Sequence, residues 1–201
     1  MTLLVTGFEP FGGDQENASQ QAVLSLDGVA RGILPVAFGA SFERLRELVQ
    51  LHRPTAVVCV GEAGLRTHVC VERRARNLIE ARIPDNAGAQ PHDEPIEPSL
   101  GEWLETPLDT ATLAGADAVV SDDAGLFVCN YVYFKALAEL EVPAVFVHVP
   151  AVRSTGEAGV GAETDAVAED GALPSQNQVD RVLRAVVDRL VSSLEQTHSR
   201  P

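Results

Sequence analysis

Lysine is all but missing from this chain: fourteen of the fifteen basic residues are arginine, and Lys135 is the exception. We read that as coding bias. The shortage of positive charge as a whole says more. With 29 acidic against 15 basic residues the formal net charge is −14, which excludes nucleic acid and anionic membrane surfaces as natural partners. Cysteine is scarce too. Three residues, Cys59, Cys70 and Cys129, are an odd number without framework spacing, so no disulfide scaffold is expected and a reducing cytoplasm suits the chain. No apolar run reaches the length of a membrane span. The N-terminal Met1-Thr-Leu-Leu-Val-Thr-Gly7 has no basic lead and too short an apolar stretch for a signal peptide. None of the five histidines has a ligand spacing such as HExxH and no cysteine pair reads CxxC, so neither a metal nor any other cofactor is expected.

What is present is a β-rich and helix-rich alternation. At 45% hydrophobic and 22% charged, 201 residues suit a single domain, 1–201, with a substantial core. A short buried-type strand is expected at Thr2–Thr6, a second strand at Ile33–Val36, a strong central one at Ala56–Val60, further ones at Ala118–Val120 and Ala144–Val149, and a longer strand-like stretch at His68–Ile83. Helices are expected after Asn17, from Phe42 to Leu51 with Ser41 as cap, and from Tyr131 to Leu140. A last amphipathic helix should start at a capping box made by Ser175 and Gln178. Pro84–Asp109 lacks periodicity and reads as a long functional or mobile loop, and Thr155–Leu173 as a surface excursion. Strands alternating with helices imply an α/β three-layer domain with a mostly parallel sheet.

Two segments carry candidate chemistry. Ser121-Asp-Asp-Ala-Gly-Leu-Phe-Val-Cys129-Asn130 brings a thiol to a strand-to-helix junction, and Val145-Phe-Val-His148-Val-Pro150 delivers an imidazole at the end of a strand. A helix N-terminus favours thiolate, and a histidine at hand can hold and return the proton. Cys59 and Cys70, flanked by valines, read as small core hydrophobes. For His148 a satisfied core histidine is the ordinary reading, but ligand sites of open α/β sheets collect at the carboxyl ends of strands. Glu72 or Asp85 could orient the imidazole as a third member. The loop Gly7-Phe8-Glu9-Pro10-Phe11-Gly12-Gly13 lacks GxGxxG order and any lysine, so it is no phosphate cradle; two aromatics on a Gly/Pro loop suit a flat apolar ligand.

Val5-Thr-Gly-Phe-Glu-Pro-Phe-Gly-Gly13, Gly61–Arg66, Val71-Glu72 through Asn77, Ala81-Arg-Ile-Pro-Asp-Asn-Ala-Gly88, Cys129-Asn-Tyr131 and His148-Val-Pro150 occur in this order. The set resembles the pyroglutamyl peptidase I (pyrrolidone-carboxylate peptidase) family over residues 3–150. The resemblance implies an α/β/α sandwich with a mostly parallel (mixed) central sheet and the removal of an N-terminal pyroglutamyl residue. It also implies Cys129 as nucleophile, His148 as general base and acid, and Glu72 as the triad carboxylate. Arg82 and Asp85 match supporting residues, and Phe8, Phe11, Ile83, Phe127 and Val128 match an apolar substrate pocket. Pyroglutamyl peptides are the implied substrates, and a homo-oligomer, tetramer or dimer, the implied assembly. The chain departs from the family at a contracted Thr110–Ala116, a shortened stretch before Ile33 and a tighter interval from Cys129 to His148. Asp122-Asp123 and Glu62 also stand where uncharged side chains are usual. A thiol hydrolase of other acyl specificity, or a binding protein that keeps the fold, are the alternatives. For Glu62 we expect a side chain turned to solvent or held by an arginine such as Arg66, since an ionised carboxylate in an apolar lactam pocket would be costly.

Overall fold

Long valine-rich runs become neighbours when both of their faces must leave water. In the computed structural model, which describes residues 2–152 and 174–198, two such runs, Ala56–Ala63 and Ala144–Pro150, lie at the centre of a six-stranded sheet whose edge strands are more exposed. The elements in chain order are β1 (Leu3–Phe8), α1 (Ala18–Leu24), β2 (Ala30–Leu34), α2 (Ala40–His52), β3 (Ala56–Ala63), β4 (Cys70–Glu72), β5 (Arg74–Arg76), β6 (Trp103–Glu105), α3 (Thr110–Ala114), β7 (Val119–Ser121), α4 (Val128–Glu139), β8 (Ala144–Pro150) and α5 (Gln176–His198). The sheet order is β2-β1-β3-β8-β4-β7. β2, β1, β3 and β8 run parallel, β4 is antiparallel to β8, and β7 is parallel to β4. The expected three-layer α/β/α sandwich with a mostly parallel, mixed sheet is what forms.

Alternation along the strands divides the core. Val58, Val60, Val145 and Val147 face one way, with α1, α3 and α5. Val57, Cys59 and Phe146 face the other way, with α2 and α4. The central β3 and β8 are buried almost throughout. Among the described residues, no helix is long and apolar enough to cross a membrane.

Local signals held unevenly. Asn17 caps α1 as expected, its Oδ1 accepting from Ser19 N–H at 2.9 Å. At the start of α5, Gln178 Oε1 accepts from both the backbone N–H and the hydroxyl of Ser175, each at 2.8 Å. Ser41 does not cap α2. Gly39, at φ 75°, holds that position because glycine alone enters the left-handed region without a steric penalty, and Ser41 is buried within the first turn. α4 starts at Val128, three residues before the expected Tyr131, and the strand expected at Ala118–Val120 runs from Val119 to Ser121 on the exposed edge of the sheet.

The expected strand 68–83 is two strands, because the chain changes partners at Arg73. Its N–H donates to Ser121 and its carbonyl accepts from Thr106. β5 then leaves the main sheet to pair antiparallel with β6, inside the segment expected as a loop. Arg74 and Arg76 stack over the Trp103 ring of that pair, at 4.2 and 5.4 Å from its centroid. Asn77 anchors the rest of the segment, donating to the carbonyls of Glu97 and Leu100 and accepting from Glu97 N–H. The surface excursion expected over 155–173 lies outside the described residues.

Candidate active site

The site sits where the sheet reverses direction. On β8 His148 lies opposite Gly61 of the parallel β3 and opposite Cys70 of the antiparallel β4. Glu72, two residues beyond Cys70, shares its face of the sheet. The carboxylate reaches back to the imidazole: Glu72 Oε1 and His148 Nδ1 are 2.8 Å apart, with both residues buried. An ionised carboxylate only accepts, so that contact puts the Nδ1 proton on the imidazole and leaves Nε2 as the base. The ring is seated against Phe146, 4.7 Å between centroids. The Tyr133 hydroxyl donates to the Glu72 carbonyl at 2.8 Å. Burial, and then the charge of Glu72, push that phenol well above the ordinary tyrosine range.

Cys129 is the second residue of α4 and half-buried, while Cys59 and Cys70 are buried. Burial pushes the Cys59 thiol up to about 12, which suits the core role expected of it. Gly61 shows where the Cys129 sulfur lies. A Cβ built on Gly61 would stand 2.7 Å from Cys129 Sγ and 2.7 Å from Phe146 Cζ. The sulfur therefore rests on the bare backbone of β3, directly beside the strand that carries His148, with strands about 4.8 Å apart. Gly61→Ala should force sulfur and ring apart. We expect it to destabilise the fold by about 1–3 kcal/mol, read in thermal melts. It should also slow iodoacetamide alkylation of Cys129 by roughly tenfold or more, and wild-type alkylation in a folded Gly61→Ala protein would show that the contact is not needed.

Arg66 ends the Gly61–Arg66 segment, just beyond β3, and was named from sequence as a candidate holder for Glu62. It holds Glu72 instead, its Nη1 donating to Oε1 at 2.6 Å. Burial works against this guanidinium, yet the Glu72 carboxylate and the Cys70 thiol beside it keep it above the ordinary arginine range. Glu62 Oε2 accepts from the N–H of Ala18 at 2.6 Å, at the first residue of α1. The reason is topological. β3 lies parallel to β1, so the end of β3 comes level with the start of the helix that follows β1, where a carboxylate is favoured.

The Asp122-Asp123 pair is engaged likewise. Asp122 turns outward to Arg73, with Nε–Oδ1 at 2.7 Å, and that hydrogen bond holds its carboxyl below the usual range. Asp123 Oδ1 accepts from Gly125 N–H at 2.9 Å.

The aromatic residues gather beside the start of α4. Phe11 stands 5.2 Å from Phe127, and Phe38 stands 5.3 Å from Phe127 and 5.6 Å from Tyr131. Phe38 was missed in the sequence; its one local signal is the adjoining Gly39. Ile83 is half-buried against the core layer that includes Phe127. Phe8 and Val128 are buried in that layer, Phe8 packed on Phe146 at 6.4 Å. The loops that present these side chains are tied together. Asp85 accepts from Phe38 N–H at 2.8 Å, Ala87 N–H at 2.9 Å and Ala89 N–H at 2.8 Å, the last two being the local bonds an aspartate makes in a turn. Glu9 Oε1 accepts from Val36 N–H and from the Asn86 side chain. Arg82 is exposed on this loop, and its carbonyl accepts from Gln90. Among the described residues, no group of three His, Cys, Asp or Glu side chains could hold a metal ion.

A thiol at a helix start, an imidazole with a fixed tautomer and a buried carboxylate behind it can perform acyl transfer. Comparison with known proteins points the same way. A family model described as pyroglutamyl peptidase matches residues 1–187. A pyrrolidone-carboxylate peptidase of Gloeobacter violaceus is 42% identical over 182 residues, 80% of this chain and 89% of that protein. One of Escherichia fergusonii is 37% identical over 210 aligned positions, 96% of this chain and 92% of its own. Among solved structures, the pyroglutamyl peptidase I of Bacillus amyloliquefaciens superposes with a TM-score of 0.81 at 30% identity, covering 92% of this chain and 94% of that one.

Proposed function

Since this chain belongs to the pyroglutamyl peptidase family, we propose that it is a cysteine exopeptidase that hydrolyses the bond after an N-terminal pyroglutamyl residue. Cys129 is the nucleophile, His148 the base and acid, and Glu72 the carboxylate that holds the imidazole. The observation that carries the reading is the 2.8 Å contact of Glu72 with His148, one strand away from the glycine on which the Cys129 sulfur rests.

The thiolate of Cys129 adds to the pyroglutamyl carbonyl carbon, and the oxyanion that forms lies at the start of α4, where the Cys129 N–H and the helix dipole favour negative charge. Arg82 is the further candidate donor to it. The C–N bond then breaks as His148, protonated at Nε2, gives its proton to the departing amine. Water, deprotonated by the same nitrogen, attacks the thioester and releases pyroglutamate, and the thiol is restored.

Pyroglutamate is a neutral lactam without an α-ammonium, so its pocket calls for flat apolar walls and no carboxylate partner. Phe11, Phe127 and Ile83 supply such walls, with Phe38 added to them and Phe8 and Val128 backing them. Asp85 supports the wall through its loop. Three cysteines, an odd count without framework spacing, make the cytoplasm the working compartment of this reading.

A substrate panel tests the reading. Wild type is expected to release the chromophore from a pyroglutamyl amide and to leave ordinary aminoacyl amides with free ammonium groups intact. Because the Glu62 carboxylate caps α1, Glu62→Gln should keep KM for the pyroglutamyl amide within about threefold of wild type. Strong cleavage of free-amine substrates, lost in Glu62→Gln, would overturn the substrate assignment.

A further inference from the structure

We propose that Arg66 is a positioning residue for this reaction, holding Glu72 in place against His148 and tying the approach to Cys129 to the same point. The proposal rests on the roles given above to Cys129, His148 and Glu72.

Glu72 is fully buried, and one oxygen does all of its side-chain work. Oε1 accepts from Arg66 at 2.6 Å and meets His148 at 2.8 Å, while Oε2 has no hydrogen-bond partner among the described residues. A buried carboxylate keeps its charge only beside a cation. His148 is a cation for only part of the cycle, since it must give its proton to the leaving amine and take another from water. Through the rest, Arg66 is the positive charge at Oε1. Were Glu72 to take up a proton in its absence, the carboxyl would donate to Nδ1. The imidazole proton would then move to Nε2, and the base would face the thiol in the wrong tautomer.

The same guanidinium also reaches the turn that precedes α4. Arg66 Nη1 lies 3.4 Å from Ser121 Oγ, and Nη2 donates to the carbonyl of Asp123. Ser121 Oγ in turn accepts from Asp123 N–H at 3.1 Å, and Asp123 holds Gly125. This turn leads into Phe127, the N-cap of α4, and so sets where Cys129 stands. The fork geometry of arginine serves both contacts at once, which a lysine cannot. Next door, Arg73 and Asp122 form an ion pair whose side chains are 50% and 39% exposed, a pair of the kind that contributes little.

The test compares Arg66→Met, Arg66→Lys and, as a control, Arg73→Gln on a pyroglutamyl amide. Arg66→Met should lower kcat on the order of a hundredfold with KM within about twofold. Arg66→Lys, which keeps the charge and so guards against misfolding, should fall between Arg66→Met and wild type, and Arg73→Gln should match wild type. In a Glu72→Gln background Arg66→Met should cost less than about threefold, because the group it acts through is already gone. Equal kcat in all Arg66 variants, a change in KM alone, or losses that multiply with Glu72→Gln would overturn the proposal. If wild type proves inactive on pyroglutamyl amides, the peptidase reading fails and Cys129 alkylation decides for Arg66. Slower labelling in Arg66→Met than in Arg73→Gln supports it, and equal labelling ends it.

Discussion

Cys129→Ala is expected to abolish turnover of a pyroglutamyl amide, while Cys59→Ala and Cys70→Ala keep turnover of the wild-type order. The three thiols differ in what surrounds them. Cys129 stands at the start of a twelve-residue helix and is partly open to solvent. Cys59 lies within the central strand, and with burial raising its thiol to about 12 it offers almost no thiolate at neutral pH. Cys70 is buried at 2% exposure between Val69 and Val71. Cys129→Ser should fold normally and lose about 10⁴-fold or more in kcat, since a serine hydroxyl is far harder to ionise than a thiol. One equivalent of iodoacetamide should inactivate wild type, with the label mapped to Cys129 by peptide mass. Near-native turnover in Cys129→Ala would remove the thiol from the mechanism.

The second large effect is expected at Glu72. Glu72→Gln preserves size but lets the amide present a donor to Nδ1, which favours the imidazole tautomer unable to take the thiol proton. A loss of about 10³–10⁴ in kcat is expected, with a change in KM of no more than a few-fold. Asp85→Asn supplies the contrast. Its carboxylate accepts from three backbone amides of the loops behind the aromatic wall, so its loss should appear as about 1–3 kcal/mol of stability rather than as chemistry. Full activity in Glu72→Gln with loss in Asp85→Asn would exchange the two assignments.

Much of this architecture was legible in the residues because it rests on local pattern. Val57, Val58, Val60, Val145 and Val147 can lie nowhere but inside a sheet covered on both faces. Asn17 and the Ser175–Gln178 pair announce helix starts through hydrogen bonds that span two or three residues. The family motifs singled out Cys129, His148 and Glu72, and Glu72 is indeed the carboxylate that touches His148. The misses have two causes, one long-range and one local. The pairing of β5 with β6 joins segments far apart in sequence, and nothing in Pro84–Asp109 taken alone discloses a partner at Arg74–Arg76. Ser41 looks like a cap by residue type, but the backbone conformation of Gly39 decided where α2 begins.

By itself, then, the sequence determined most of the elements, the layered class and the candidate side chains, because hydrophobic period, capping chemistry and reactive residue types are properties of short stretches. Only the tertiary structure decided which charges meet. Arg66 lies closer in sequence to Glu62, yet it binds Glu72, while Glu62 reaches Ala18. Those partners are set by how β3, β4 and β8 are ordered in the sheet and by the reversal of direction at β4. A buried ion selects its partner by distance and desolvation within the packed fold.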